Sequence, residues 1–412
     1  MVRPVIRRSF QLKPSNRRGA IVPIVAISLL VIMLGLALVL DRSWMDIAQE
    51  ELLRASEAGA LSGARALASD DLLRGQSDPQ RTVERVNAAV ERIAAENRVA
   101  GEPVKIVPAE DVVLGRIVYN DQSGSSVFLA TDKKPTTVQV TAKLTEHREN
   151  PVALLMRQLT GQGTAELAQQ VAATADNRVL GVRPYKGASV PGIPLAILAD
   201  DPTNRRQDTW QHQIVLGMGQ DRFGYDENTH KITSGPDGIR EIILTGEDPQ
   251  DKSVKPNVSL VDLGTSLRAS GLVSQIQDGW TEKQLRKFGG EIRLPSQPVT
   301  VPSTARLTID PLRSLASLQG ECRIALLYLG GTPEGYSTPG SVICVGLVAG
   351  RVMKVIPSQT KASQIVFQPA VIVTRTAVLP ELHFPGGRGQ KADREWLQPH
   401  QNKYLYKTCL TQ

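Results

Sequence analysis

The chain has 412 residues, 41% hydrophobic and 4% aromatic, with a net charge of +7, long enough for two or three domains with a sizeable core. Six of its 48 basic residues (Arg3, Arg7, Arg8, Lys13, Arg17 and Arg18) stand before the first acidic one, which leaves 42 basic against 41 acidic residues in the body. That near-neutral body carries no basic stripe with interleaved aromatics, so nucleic acid is excluded as an expected partner.

Ala20 to Leu40 is a run of 21 residues without a charge. At about 1.5 Å per residue it spans roughly 32 Å as a helix, enough for a hydrocarbon core of about 30 Å. A secretory signal's apolar region is shorter, about 7–15 residues, and no small-x-small cleavage site closes this one. Ala20, Pro23, Leu29, Leu34 and Leu40 mark the expected membrane anchor, with Pro23 in the first turn, where a missing N–H does little harm. The six basic residues lie on one side, and Asp41, Asp46, Glu50 and Glu51 follow on the other. This asymmetry predicts a single pass with the N-terminus cytoplasmic and the bulk of the chain extracytoplasmic. "RRSFQLK" also fits a twin-arginine signal, although two arginines are equally what the topology requires.

Beyond the span, "WMDIAQEELLRASEAGALSGARALAS" predicts a helix that continues out of the bilayer. Its small residues, among them Ala55, Gly59, Ala60, Gly63 and Ala64, suit close approach of a sheet or a second helix. After a break near "SDP", the spacing of Val83, Val86, Val90, Ile93 and Asn97 predicts a second helix. "DVVLGRIVYN", "SSVFLAT" and "TTVQVTAKLT" read as strands. "NPVALLMRQLTG" reads as a short helix with Asn150 as N-cap and Pro151 at its first position, and "AELAQQVAATADNRVLGVRP" fits strand or helix. From about residue 188 Gly and Pro become frequent. Strand-length apolar runs follow: "IPLAILA", "QIVLGMG", "REIILTG", "EIRLP", "ARLTID", "CRIALLYLG", "SVICVGLVAG", "RVMKVIP" and "QIVFQPAVIV". They predict a mostly β region. One helix is expected in "WTEKQLRKFG", capped by Thr281 and ending near Gly289.

Catalytic signatures are absent from the sequence: no GxSxG, HExxH, Walker loop or GxGxxG opening a helix. The five histidines are scattered. "DRFGYDENTHKITSGPDG" offers oxygen ligands for calcium but lacks EF-hand spacing, and its composition equally makes turns. Asp200 and Asp201 in "LADDP" are adjacent and read as a turn. "GGTPEGYSTPG" lies between strand runs and opens no helix, which argues against phosphate binding. No metal, cofactor or small-molecule substrate is expected. A hairpin centred on Pro333 would set Cys322 opposite Cys344 and allow a disulfide in an oxidising compartment, leaving Cys409 free.

The basic tail, "RRGAIVPIVA", the apolar helix and "DRSWMDIAQEELLRASEAGALSGARAL" together resemble the N-terminal segment of TadG-like proteins of the Tad (Flp) pilus-assembly system. "VVLGRIVYNDQSGSSVFLATDKKPTTVQVTAKLT" with "NPVALLMRQLTG" and "VAATAD" looks like the strand-and-loop part of TadE/TadG pseudopilin-like domains. "GPDGIREIIL", "VSLVDLGTSLRASGLVSQIQDGWTEKQLRKFGGEIRL", "VGLVAGRVMKV" and "SQIVFQPAVIV" look like the C-terminal region of TadG-related proteins, although many relatives lack a Cys in the last strand. "RRG" is similar to a prepilin-peptidase site, but prepilins carry Glu at the fifth position after the cleaved Gly, where Ile24 stands here. Processing after Gly19 is left open. The resemblance implies an α+β fold: a transmembrane helix extending into a pseudopilin-like helix-plus-antiparallel-sheet domain, then a mostly β domain. The expected organisation is a basic cytoplasmic tail (1–19), the transmembrane helix (20–40), an α+β extracytoplasmic domain (41–185) and a β-rich extracytoplasmic domain (186–412). The expected function is a non-enzymatic, membrane-anchored component of pilus assembly in the bacterial inner membrane, with other Tad proteins as partners. The alternative is a signal-anchored periplasmic or surface β-rich binding module.

Overall fold

One helix, α1 (Ile21–Leu67), runs unbroken through the apolar segment and on past Asp41. Pro23 lies in its first turn and no later proline interrupts it, so 47 residues extend about 70 Å. The protein is described here by a computed structural model covering residues 21–75, 78–120, 125–203, 205–227, 229–330, 340–380 and 401–411. The six basic residues of the tail and Ala20 lie outside the described residues.

The second helix, α2 (Pro79–Glu96), begins where a Pro at the first helical position follows a capping Asp: the Asp78 side chain accepts from the Gln80 and Arg81 backbone N–H groups. Its buried face is Val86, Val90 and Ala94, with Val83 and Ile93 half-buried beside them. Four strands follow: β1 (Val112–Asn120), β2 (Ser125–Ala130), β3 (Thr137–Leu144) and β4 (Leu167–Asp176). The strand alternative for the last is therefore the one realised. Next come β5 (Gly192–Leu198), β6 (Phe223–Asp226), β7 (Lys231–Ser234), β8 (Ile242–Thr245) and β9 (Val258–Val261). Helix α3 (Ala269–Asp278), β10 (Val299–Thr304) and helix α4 (Ile309–Ser317) lead into β11 (Cys322–Tyr328) and β12 (Ser341–Ile356). The chain ends with β13 (Gln364–Pro369), β14 (Ile372–Val373) and β15 (Leu405–Thr411).

The first sheet has the order β14-β15-β4-β3-β1-β2. Its four central pairings are antiparallel, and β14 lies parallel to β15. One face is covered by α1 and α2: Ala60, Ala64, Val86 and Val90 pack on Val138, Val140, Ala173 and Ala175. Nearer the apolar run, Ala48, Leu52 and Ala55 pack on Ala142, Leu144 and Val152. The small residues are what allow this. A Cβ added to Gly63 would lie 2.9 Å from both Val138 Cγ1 and Val90 Cγ2, so only glycine fits between the sheet and α2.

The second sheet has the order β8-β13-β12-β10-β9-β5-β11, and β12 also pairs with β11. The pairings β5–β9, β9–β10, β10–β12, β12–β11 and β11–β5 therefore return on themselves, the last being parallel. The 16-residue β12 makes this possible: its first residues pair with β10 and its last with β13, while β11 runs along its other edge. Helices α3 and α4 pack on one another and against β5 and β12 respectively.

Several expectations are corrected. The distal region is β-rich but holds more helix than expected, because α3 and α4 lie in stretches whose Gly and Pro obscured a helical period. "QIVLGMG" contains a π-helical turn (Gln211–Val215), and "ARLTID" leads into α4. "EIRLP" supplies one bridge, Ile292 to Val182, rather than a strand. "NPVALLMRQLTG" is not one helix: Val152–Ala153 pairs with Thr164–Ala165, and only Arg157–Thr160 makes a helical turn. Asn150 does not cap it. Its Oδ1 accepts from the Thr145 N–H at 3.1 Å, which closes the preceding turn instead. Thr281 is confirmed as a capping-box residue with Gln284, and Gly289 ends that turn in a left-handed conformation. The first sheet also recruits β15 from the chain's C-terminus, which no local pattern announced.

Candidate membrane anchor and its junction with the body

The first half of α1 leaves its large side chains uncovered. Leu29 is 55% exposed, Pro23 is exposed and Leu40 is 39% exposed, while Leu34 is half-buried. The apolar residues face all round the helix rather than along one stripe, which is the pattern of a segment whose surroundings are themselves apolar. The helix is long and apolar enough to cross a membrane.

Two contacts fix the place where the apolar run ends. Asp41, 5% exposed, accepts from the Met156 backbone N–H at 2.9 Å through Oδ1. One turn further on, the Trp44 indole N–H donates to the Ala153 carbonyl at 3.1 Å. The loop between Ala153 and Thr160, called the collar below, is therefore tied to one face of the helix at the first charged residue after the apolar run. Ala37 is 2% exposed although it stands among uncovered residues, and the Arg157–Thr160 turn packs against α1. Sequence reasoning placed a helix here and missed the collar, because the bond that holds it joins residues far apart in the chain.

At its other end α1 is tied to the second sheet. Asp70, in the 3-10 turn Asp70–Leu73, accepts from the Val371 N–H at 2.6 Å and forms a buried ion pair with Arg351 of β12. The Arg351 guanidinium lies 4.0 Å over the Tyr225 ring of β6, a cation–π contact in a desolvated place. Burial opposes the Arg351 charge, but Asp70 outweighs it and raises the Arg351 pKa. The neighbouring Asp71 faces the other way and pairs with Arg74 and with Arg85 of α2, with Arg81 at 3.8 Å. Burial pushes the Asp71 carboxyl up, but the Arg85 hydrogen bond and the charges of Arg85, Arg74 and Arg81 hold it below its ordinary value. Arg74 Nε also donates to the Asp237 carbonyl at 2.9 Å. A single turn thus joins α1, α2 and the second sheet. These residues went unremarked in the sequence.

The expected cysteine bridge is not formed: Cys322, Cys344 and Cys409 are free. The hairpin itself exists, since β11 and β12 pair antiparallel, but in another register: Cys322 lies opposite Arg351, and Tyr328 opposite Cys344. The two cysteines are six residues apart along β11, on the order of 20 Å, beyond the reach of a disulfide. The physical reason is a hairpin centre further along the chain than Pro333. The turn itself, with "GGTPEGY", lies outside the described residues. Burial pushes the Cys322 and Cys344 thiols up to about 12, which keeps them protonated and unreactive.

The segment "DRFGYDENTHKITSGPDG", with its Asp and Gly residues, contains the β6–β7 hairpin. Its carboxylates serve the backbone: Asp221 accepts from the Asp237 and Gly238 N–H groups, and Asp237 from those of Ile239 and Tyr225. Asp201 likewise accepts from the Thr203, Arg205 and Arg206 N–H groups in a turn. Among the described residues there is no group of three or more His, Cys, Asp or Glu placed to hold a metal ion. An open cleft of about 580 Å³ is lined by Glu247, Lys252, Arg306, Ser358 and Lys361, among others. Its Lys252 and Glu247 pair with each other at 2.8 Å.

Residues 19–66 match the model of a family described as "Putative Flp pilus-assembly TadE/G-like". The match begins at the end of the basic tail and stops one residue before α1 does. No curated protein and no solved structure matches the chain. The chain is thus similar, over its long helix, to Tad-type pilus-assembly proteins, and carries one N-terminal helix of membrane-spanning length ahead of mixed α/β and β-rich parts.

Proposed function

We propose that this chain is a non-enzymatic, single-pass component of Tad/Flp-type pilus assembly, held in the bacterial inner membrane with its N-terminus cytoplasmic. The carrying observation is the coincidence of three boundaries on α1. The family match covers the helix, the apolar run occupies its first half, and the second half packs into an α+β body. On this reading residues 1–19 are a cytoplasmic tail with Arg3, Arg7, Arg8, Lys13, Arg17 and Arg18 setting topology, and 20–40 are the anchor. Residues 41–185 form a pseudopilin-like domain and 186–412 a β-rich extracytoplasmic one, both contacting other Tad proteins. The rigid tie through Asp70 and Arg351 supports a role in which force or position is passed between membrane and distal body. Two experiments test it together. Co-purification of the cross-linked, intact envelope complex should recover Tad assembly proteins, and recovery of none would overturn the assignment. N-terminal sequencing should find the chain uncleaved; a start at Ala20 would show prepilin processing with the anchor kept, and a start beyond Leu40 would show a removed signal peptide and overturn the anchor. The open cleft beside Glu247 and Lys252 supports the second reading, a signal-anchored binding module, which recovery of an unrelated ligand without any Tad protein would favour.

A further inference from the structure

The collar stands at an unusual height on the helix. Its two backbone ties are to Asp41 and Trp44, the first polar residue beyond the apolar run and an aromatic of the kind enriched at membrane–water interfaces. Ala37, which is buried, lies one turn before Asp41, about 6 Å back along the axis and inside the apolar run. The Arg157–Thr160 turn of the collar packs against the same helix, which sets the collar at the edge of the apolar run. It also presents the side chains such a position requires. Leu155 is 56% exposed, and Arg157 and Gln158 beside it are exposed. An uncovered leucine next to an arginine lets the apolar group enter the acyl boundary while the guanidinium stays among the phosphates. By contrast the next residue inward, Leu154, is buried against the protein. The collar also covers Asp41, with the Met156 N–H satisfying one oxygen of a carboxylate that would otherwise meet the hydrocarbon edge.

We propose that the Ala153–Thr160 collar is a second membrane contact, with Leu155 inserted into the outer headgroup–acyl boundary of the bilayer that α1 spans. This rests on the reading of residues 20–40 as the anchor. Contact at two points on the bilayer plane would fix the tilt of α1 and the direction in which the body leaves the surface, which a single helix leaves free.

The test uses the full chain reconstituted in phospholipid vesicles, with an environment-sensitive fluorophore on one introduced cysteine: Leu30→Cys in the span, Leu155→Cys in the collar, or Lys252→Cys in the turn between β8 and β9. Wild-type protein carried through the same labelling sets the background from Cys322, Cys344 and Cys409. Lipids spin-labelled on the acyl chain near the headgroup should quench the Leu155 probe about twofold or more, while Lys252 stays unquenched. A quenched Leu30 probe with an unquenched Leu155 probe overturns the collar contact and leaves the anchor standing. Loss of quenching at both overturns the anchor and the collar with it. Blue-shifted emission at Leu155 without lipid quenching would assign that side chain to a second copy of the chain and also overturn the proposal.

Discussion

The two halves of α1 are one continuous helix with opposite surroundings. In the first half large side chains such as Leu29, Leu30 and Leu38 stand uncovered. In the second half Leu52, Ala60 and Ala64 are wholly buried. Charge separates them, since none falls between Ile21 and Leu40 while Asp41, Asp46, Glu50 and Glu51 open the second half, and their apolar residues differ in size and distribution. Lipid surrounds a helix evenly, so large apolar residues can face any way. A sheet comes from one side and comes close, so that side is built of Ala and Gly. Nothing distinguishes the backbone of one half from that of the other, and the two environments meet at Asp41, where the collar is tied.

The largest expected effect breaks the link that carries the second half into the distal sheet. Asp70→Ala leaves Arg351 buried without its partner, and such a loss costs about 3–5 kcal/mol. Denaturant unfolding in detergent should show it. The double variant Asp70→Asn with Arg351→Met should recover much of the loss, because it removes the orphaned charge. Equal stability of Asp70→Ala and wild type would mean that the two sheets are not coupled there. A charge in the first half should act elsewhere. Leu30→Arg adds about 3 kcal/mol to insertion at the centre of a span, so the membrane-extracted fraction should rise while unfolding of the body in detergent is unchanged.

Glycine sharpens the same contrast within one helix. Gly63→Leu must displace Val138 and Val90, and overpacking of this kind costs about 2 kcal/mol. A Cβ at Gly35 meets nothing within 4 Å, so Gly35→Leu should leave the melting temperature of the body where it was. If both substitutions behave alike, the second half of α1 does not pack on the sheet as described. The smallest effect is acid sensitivity at the turn that follows α1. Asp71 titrates below its ordinary 3.8 in the folded protein, so its contribution is fully present above that value. It is lost as pH falls through the lower folded value. Asp71→Asn should therefore lower stability at neutral pH and flatten the acid limb of a melting-temperature profile. An unchanged acid limb would show that the arginine cluster does not hold the carboxylate.

What was legible depended on range. The apolar run, α2 with Val86 and Val90, and strands β1 to β3 were readable because each is set by a local period of 3.6 or 2 residues, whereas the period of β4 fitted strand and helix alike. Thr281 was readable as an N-cap because a cap acts within its own turn, although the capping box it forms with Gln284 was not read. The helices α3 and α4 were not, since "SGLVSQIQDG" and "IDPLRSLAS" are short and bounded by Gly and Pro that read equally as turns. The hairpin of β11 and β12 was readable as a pairing, yet its register was not. Register follows from which faces are buried against the rest of the sheet, and midpoint symmetry about Pro333 carries no information on that.

By itself the sequence determined the membrane-length helix, its one-sided basic flank and the succession of helices then strands, because charge, length and periodicity act within a few residues of where they are written. The tertiary structure decided the rest. It brought Met156 to Asp41 across 115 positions and Arg351 to Asp70 across 281, it returned β15 to the first sheet, and it held Cys322 and Cys344 apart. Each of these depends on a buried polar group or a strand edge finding a distant partner. Many pairings satisfy that requirement in the sequence, and only packing of the whole chain selects one.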